Sequence, residues 1–269
     1  MIVFTLADHV AVVSGAKGRL GPVWIEALLD AGARVAALDL PGSPPSQAYA
    51  ELRSGPHAAN LHEYDGDVTD RPSLERAQAA IVQALGAIDV LVNNAGIDQP
   101  PDSAGARHLV QDLPVEQFRR MVEVNLLGTF QATQVFGQPM TARGRGSIVN
   151  IGSLYASVSP DQRFYDHFPG EPPFLKSPAY GASKAGVVNL TRYFATLWGS
   201  TGVRVNTLSP GGVLGGQDAD FRRKYCDRVP LGRMADASDL KGPLVFLASS
   251  ASSYVTGIEL RVDGGFTAW

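Results

Sequence analysis

Tyr180-Gly181-Ala182-Ser183-Lys184 sets a phenol and an amine four residues apart. On a helix that spacing stacks the two side chains on one face. A free tyrosine titrates near pH ~10, and a neighbouring positive charge favours its phenolate. A tyrosine tuned in this way can act as an acid–base catalyst near neutral pH. A Tyr and a Lys at helical spacing also describe an ordinary helix face, so the meaning of the pair depends on the chain around it.

A second chemical signal lies near the start. Ser14-Gly15-Ala16-Lys17-Gly18-Arg19-Leu20-Gly21 carries glycines at 15, 18 and 21. The apolar run His9–Ser14 precedes it, a helical pattern from Leu20 to Ala31 follows, and a second apolar run spans Arg34 to Asp39. Strand, glycine turn, helix and strand make a βαβ unit of about thirty residues. Gly15 permits the tight turn, Gly18 lets backbone approach a pyrophosphate, and Gly21 lets the helix pack near the strand. The helix N-terminus adds free N–H groups and the positive end of its dipole. The turn is not the GxGxxG fingerprint, although its context is the same.

Asp39 ends the second run, about twenty residues on, where a carboxylate accepts hydrogen bonds from ribose hydroxyls and repels a 2′-phosphate. Like charges ~4 Å apart cost on the order of a few kcal/mol at intermediate dielectric, which favours NAD over NADP. Lys17 and Arg19 leave alternatives: either can reach a 2′-phosphate, both can be solvated, or Arg19 can serve the pyrophosphate. Asp67-Val68 follows the third apolar run, where a carboxylate can receive the adenine amino group. Asn93-Asn94-Ala95-Gly96 closes the fourth, and its small residues let backbone lie against a flat ring or ribose.

The elements that must position these groups continue the alternation. Strands are expected near 60–65, 88–93, 146–152, 203–208 and 257–262, and helices near 71–85, 114–137, 178–199 and 237–248. Seven strands separated by helices predict an α/β fold, a parallel sheet covered by helices on both faces. No repeat, low-complexity tract or linker divides residues 1–269 into separate domains. Three segments interrupt the pattern, near 98–112, 157–177 and 211–230. Long loops in compact domains are usually functional or disordered. All three leave the carboxyl ends of expected strands, where a doubly wound sheet binds its ligands, so they read as a substrate rim. Asp98, Gln99, Arg163, His167 and Gln217 offer hydrogen-bonding groups there, and Tyr155 offers a face for a sugar ring.

Composition narrows the class. Hydrophobic residues make up 45% of 269, enough for a sizeable core, and the net charge of −3 without a long basic run argues against nucleic acid. The single cysteine, Cys226, excludes an internal disulfide and reads as a structural thiol in a reducing compartment. Met1–Thr5 has no signal-peptide pattern and no apolar stretch is long enough to span a membrane, so a soluble cytoplasmic protein is expected. No metal site is expected.

Taken together, Asn93-Asn94-Ala95-Gly96, Asn125 in Val124-Asn125-Leu126, Ser153 in Ile151-Gly152-Ser153, Tyr180 with Lys184, and Ser209-Pro210-Gly211 resemble the short-chain dehydrogenase/reductase family, mostly of its classical type. The resemblance runs from about Leu6 to Trp269. It implies a single Rossmann-like doubly wound domain, a nicotinamide cofactor and a homotetramer or homodimer. It also implies roles: Tyr180 exchanges a proton with the substrate oxygen, and Lys184 lowers its pKa and holds the nicotinamide ribose. Ser153 hydrogen-bonds the substrate oxygen, Asn125 holds a water linking Lys184 to solvent, and Pro210, Gly211 and Val213 border the nicotinamide. The implied activity is NAD-dependent interconversion of a secondary alcohol and a ketone on a polar, polyhydroxylated small molecule. The insertion and tail resemble a subgroup of sugar or sugar-acid enzymes, including gluconate dehydrogenase-like proteins.

The chain departs from the family pattern at three points. Arg19 stands where the turn has its middle glycine, and Gly18 gives a spacing typical of extended members. Ser157–Ser177 doubles the usual gap between Ser153 and Tyr180, so their pairing requires the insertion to loop outward. Gly215 stands where a threonine often contacts the carboxamide. Trp269 is expected to be buried, in an interface rather than a substrate pocket. Two other readings remain: a sugar-nucleotide epimerase or dehydratase of the extended type, and a nucleotide-binding sensor without catalysis.

Overall fold

Apolar residues buried on both faces of a strand require cover on both sides, and β1 (Val10–Ser14), β2 (Arg34–Asp39) and β4 (Val90–Asn93) are of this kind. The computed structural model describes residues 4–99 and 108–269. Its sheet is completed by β3 (Leu61–Asp65), β5 (Gly146–Ile151), β6 (Val203–Pro210) and β7 (Glu259–Val262), all parallel, in the order β3-β2-β1-β4-β5-β6-β7. The chain lays down β1 to β3 in one direction, then returns to place β4 on the free side of β1. The connections leaving β1 and β4 therefore diverge, which opens a crevice at their carboxyl ends.

Helices α1 (Gly21–Asp30) and α8 (Ser238–Ala248) cover one face, with Trp24, Leu28, Leu240 and Leu244 in the shared core. Helices α3 (Arg71–Leu85), α5 (Gly128–Arg143) and α6 (Pro178–Trp198) cover the other through Leu74, Ile81, Phe136, Met140 and Phe194. α6 starts sharply because Ser177 Oγ accepts the Ala179 N–H at 3.2 Å and Pro178 occupies the first turn.

All seven expected strands are present. Three helical expectations need correction. Helix α2 (Gln47–Ser54) was not anticipated; Ser46 caps it and Tyr49 anchors it in the core. The helix expected over 114–137 is α4 (Val115–Val122) and α5 joined by a π-helical turn, Glu123–Leu127, and it continues to Arg143. Wide turns of this kind are found frequently at functional sites. The segment 211–230 contains α7 (Ala219–Cys226), begun where Asp218 Oδ1 accepts the Phe221 N–H at 2.9 Å.

The remaining rim segments differ in kind. Positions 100–107 of the first lie outside the described residues; beyond them Val110–Asp112 form a 3₁₀ turn. The insertion at 157–177 carries Phe164, Tyr165 and Phe174 into a third apolar cluster with Leu154, Phe221, Tyr225 and Phe266. Trp269 is 74% exposed on this chain, its Nε1 donating to the Arg228 carbonyl at 3.3 Å, so no pocket of its own chain buries it. Among the described residues no helix is long and apolar enough to cross a membrane.

Candidate active site

The two turns at the switch point are fastened to each other before any ligand is considered. Ser14 Oγ accepts the N–H groups of Asn94 and Ala95 at 3.2 and 3.1 Å. Asn94 Nδ2 donates back to the carbonyls of Ser14 and Gly15 at 3.0 and 2.9 Å, and Trp24 Nε1 donates to Asn94 Oδ1 at 2.8 Å. Gly15 has φ +64°, and a Cβ there would lie 2.7 Å from Ala95 Cα, so the approach admits only glycine. A Cβ on Gly21 would meet the Ala16 carbonyl oxygen at 2.2 Å, which confirms that α1 packs tightly on the turn. Gly18 is different: its nearest such contact is 3.5 Å, so the protein's own packing leaves space there.

A cleft of roughly 540 Å³ runs from this turn along the carboxyl edge. Gly15, Lys17, Gly18, Arg19, Leu20, Asp39, Asp67, Val68, Asn94, Ala95 and Gly96 line one part, and Ser153, Tyr180, Lys184, Pro210, Gly211 and Val213 the other. Asp39 Oδ2 accepts the Lys17 N–H at 2.7 Å, which ties the end of β2 to the glycine turn. Asp67 Oδ1 accepts the Thr69 N–H and hydroxyl at 2.8 and 2.7 Å and shapes its own turn.

Arg19 resolves two departures at once. Its Nη2 crosses the cleft to donate to the Val213 carbonyl at 2.9 Å. A Cβ on Gly215 would lie 2.0 Å from that nitrogen, so any side chain at 215 would have to displace the guanidinium. The arginine in the turn and the glycine beyond β6 are thus complementary.

The catalytic candidates converge. Tyr180 and Lys184 share one face of α6, with Lys184 Nζ 5.8 Å from the Tyr180 ring centre and donating to the Ile151 carbonyl at 2.8 Å. Ser153, just past β5, lines the same cleft as Tyr180, and its Oγ accepts the Tyr155 N–H at 3.2 Å. The insertion does loop outward, since its aromatics pack on α7 and the chain's end rather than between Ser153 and Tyr180. Asn125 is wholly buried in the π turn; its amide exchanges hydrogen bonds with the main chain of Ile97 at 2.8 and 2.9 Å and donates to Ser183 Oγ at 3.1 Å. Its side chain therefore braces the exit of β4 against α6, and its carbonyl accepts from Thr129 Oγ1 at 2.8 Å.

The electrostatics differ from the expectation that the lysine depresses the tyrosine. Burial pushes the Tyr180 phenol above its ordinary range, the Asp98 carboxylate adds to the rise, and only the Ser153 side chain opposes it. Burial brings Lys184 down to about 8, with Asp98 acting in the opposite sense. Burial is the leading cause for both groups, although Lys184 is only 5% exposed while Tyr180 is part-buried on the cleft wall.

Among the rim residues, Asp98 lines the cleft. Arg163 is fastened to Asp161 at 2.6 Å, His167 to Asp218 at 3.0 Å, and Gln217 to the Val213 and Gly215 main chain. Tyr155 meets Tyr180 edge-on with ring centres 6.5 Å apart, and its hydroxyl lies 3.5 Å from that of Tyr165. Sequence reading passed over Ser14, Trp24 and Lys176. Ser14 and Trp24 sit beside recognised glycines, but nothing local marks them as partners of Asn94.

Comparison with known proteins agrees with this geometry. The family model described as "Enoyl-(Acyl carrier protein) reductase" matches residues 20–267. The chain belongs to the short-chain dehydrogenase/reductase family. It is therefore an oxidoreductase of a family that uses a nicotinamide cofactor. Galactitol 2-dehydrogenase (L-tagatose-forming) of Cereibacter sphaeroides is 35% identical over 273 residues, covering 99% of this chain and 98% of that one. A gluconate 5-dehydrogenase from Burkholderia cenocepacia, solved with NADP and tartrate, superposes with a TM-score of 0.83 at 28% identity over 99% of this chain and 98% of that one. A short-chain dehydrogenase from Leptospira borgpetersenii, solved with bound NAD+, also has a TM-score of 0.83, at 32% identity over 98% and 94%. The residues present fit a dinucleotide: open backbone at Gly18, a helix N-terminus, and a carboxylate at the end of β2.

Proposed function

We propose that this short-chain dehydrogenase/reductase interconverts a secondary alcohol and a ketone on a polyhydroxylated small molecule, with NAD as cofactor. The observation that carries the reading is the convergence of Ser153, Tyr180 and Lys184 in the cleft whose other end holds Asp39. When bound, the nicotinamide supplies the hydride acceptor or donor and, oxidised, a positive ring charge. Tyr180 Oη takes the carbinol proton in oxidation and returns one in reduction. Ser153 holds the substrate oxygen and stabilises charge as it develops there. Lys184, held to the Ile151 carbonyl, presents its ammonium beside Tyr180 and to the nicotinamide ribose; Pro210, Gly211 and Val213 wall that end. Asn125 keeps the π turn open on the Lys184 side, where a water can pass protons to solvent. Gly15, Gly18, Leu20 and the adjoining N–H groups receive the pyrophosphate with Lys17 and Arg19 alongside, Gly21 serves the site by letting α1 pack close to the turn, Asn94, Ala95 and Gly96 flank the ribose, and Asp67 and Val68 receive the adenine.

Two comparisons support the polyhydroxylated class: a relative named for galactitol and a structural neighbour named for gluconate. NAD is favoured because Asp39, at the end of β2 in the cleft wall, would repel a 2′-phosphate, although a neighbour was solved with NADP. Tyr180→Phe should lower turnover about 10³-fold while NADH still binds, as fluorescence titration would show. Asp39→Ala should shift kcat/KM toward NADP about tenfold or more. Parent turnover equal with NADPH would overturn the cofactor assignment. A screen of polyols, sugar acids and plain cyclic alcohols, followed by NADH absorbance, tests the substrate class; activity confined to plain alcohols would sink it. We further propose a cytoplasmic homotetramer or homodimer in which Trp269 is covered by a second copy, to be read by light scattering on the parent and Trp269→Ala.

A further inference from the structure

We propose that Lys176 is a charge-setting positioning residue of the active site: paired with Asp98 beside Tyr180, it offsets part of the negative charge that opposes the phenolate, a role that rests on Tyr180 being the acid–base group. Lys176 closes the insertion just before α6 and is only 5% exposed. Its Nζ lies 2.6 Å from Asp98 Oδ2 and 2.9 Å from the Gln99 carbonyl. Its main-chain N–H donates to Gln162 Oε1 at 3.1 Å, which fixes the segment that carries it. The ammonium is 5.6 Å from the Tyr180 ring centre, as near as Lys184 at 5.8 Å. Two lysines therefore flank one tyrosine, and the second comes from the segment that lengthens the gap between Ser153 and Tyr180.

Among the described residues, the groups facing Tyr180 can be named element by element. Ser153 and Tyr155 come from the turn after β5, Lys184 from α6, Asp98 from the exit of β4, and Lys176 from the end of the insertion. Tyr165 stands behind Tyr155, and Asp161 behind it is already paired with Arg163 and Arg228. Near neutral pH the charges closest to the phenol are Lys184, Lys176 and Asp98. Asp98 acts on Lys184 as well, but Lys184 Nζ donates to the Ile151 carbonyl whereas Lys176 Nζ pairs directly with Asp98, so Lys176 is the cation in contact with that carboxylate. The pair is asymmetric: Lys176 is 5% exposed and Asp98 43%, so water screens part of the carboxylate, and the lysine offsets its charge on the side that faces Tyr180. A unit charge ~6 Å away at intermediate dielectric shifts a titration by roughly one to two pH units.

The experiment is the pH dependence of kcat for oxidation at saturating cofactor in the parent, Lys176→Met, Lys176→Arg and the double variant Asp98→Asn/Lys176→Met, with thermal melts as folding controls. Lys176→Met should move the rise in kcat about one unit to higher pH. The double variant should bring it back, and Lys176→Arg, which keeps the charge, should stay near the parent. Phenolate absorbance, taken as the difference between each variant and its Tyr180→Phe counterpart without cofactor, should move in the same sense. An unmoved profile in Lys176→Met, or a shift that the double variant does not reverse, overturns the role of Lys176. If Lys176→Met does not fold, Lys176→Gln takes its place with the same expected shift. Turnover surviving Tyr180→Phe would instead overturn the assignment of the acid–base group itself, and the role of Lys176 with it.

Discussion

At the junction of β1 and β4, Ser14, Gly15, Trp24, Asn94 and Ala95 hold one another through main-chain groups and a few short side chains. Beyond the carboxyl ends of β5 and β6, by contrast, Phe164 touches Phe221, Tyr225 and Phe266 with ring centres 5.8 to 6.2 Å apart, and no two of these segments adjoin in sequence. The first region joins two short turns, each legible in sequence, through hydrogen bonds between residues 70 to 81 positions apart. The second is a cap assembled from the insertion, α7 and the chain's end, joined to the cleft wall beside Gly211 through the Gly212 N–H, which donates to the Tyr225 hydroxyl. The two regions are built differently, and the proposed division of cofactor binding and substrate selection between them can be tested by damaging each in turn.

The sharpest break is expected from Phe164→Ala. It should cost about 3 kcal/mol of stability in denaturant unfolding, from lost burial and the cavity left behind. It should also raise the substrate KM while leaving NADH affinity nearly unchanged. A parallel loss of NADH affinity would show that the two regions are one unit. Gly15→Ala tests the opposite side. With a positive φ and a Cβ 2.7 Å from Ala95 Cα, it should weaken NADH binding by about two orders of magnitude, roughly 2–3 kcal/mol of strain and displacement. The aromatic cap should remain folded, read by near-ultraviolet circular dichroism.

Between these regions, Lys184 supplies a pH signature. Its folded-state pKa of about 8 lies below the ordinary lysine value of 10.5, so between those values the unfolded chain binds more protons. Stability contributed by this group therefore rises as pH goes from 8 to 10. The gap between parent and Lys184→Met, measured without cofactor, should widen in the parent's favour by about 2 kcal/mol over that window. An unchanged gap would mean that the lysine is solvated. The smallest effect is expected from Gly215→Thr. Displacing the Arg19 guanidinium should change the cofactor KM a few-fold, under ~1 kcal/mol, with the cap untouched.

Much of this was legible from residue order. The alternation of apolar runs and helical patterns gave every strand because a doubly covered parallel sheet needs continuous apolar segments. The glycine turn, Asp39, and the Tyr180–Lys184 spacing all act through neighbours a few residues away or through one helix turn. What escaped had a different origin. Helix α7 is polar along most of its length, and its two buried aromatics make sense only against Phe164. The side chain of Asn125, in the π turn, bonds Ile97 and Ser183, 28 and 58 residues away in the chain. Spacing describes the charge that neighbours Tyr180 but not its burial, which acts on the phenol in the opposite sense.

Residue order alone determined the sheet, the cleft's location and the identity of the groups at its two ends, since these follow from period, turn chemistry and side-chain type. Tertiary structure decided the rest: that Arg19 spans to Val213 over a bare Gly215, that Lys176 returns to Asp98 beside Tyr180, and that burial governs both titrating groups at the centre. Each of these depends on distance and solvent exclusion between segments far apart in the chain, and neither quantity exists until the chain has folded.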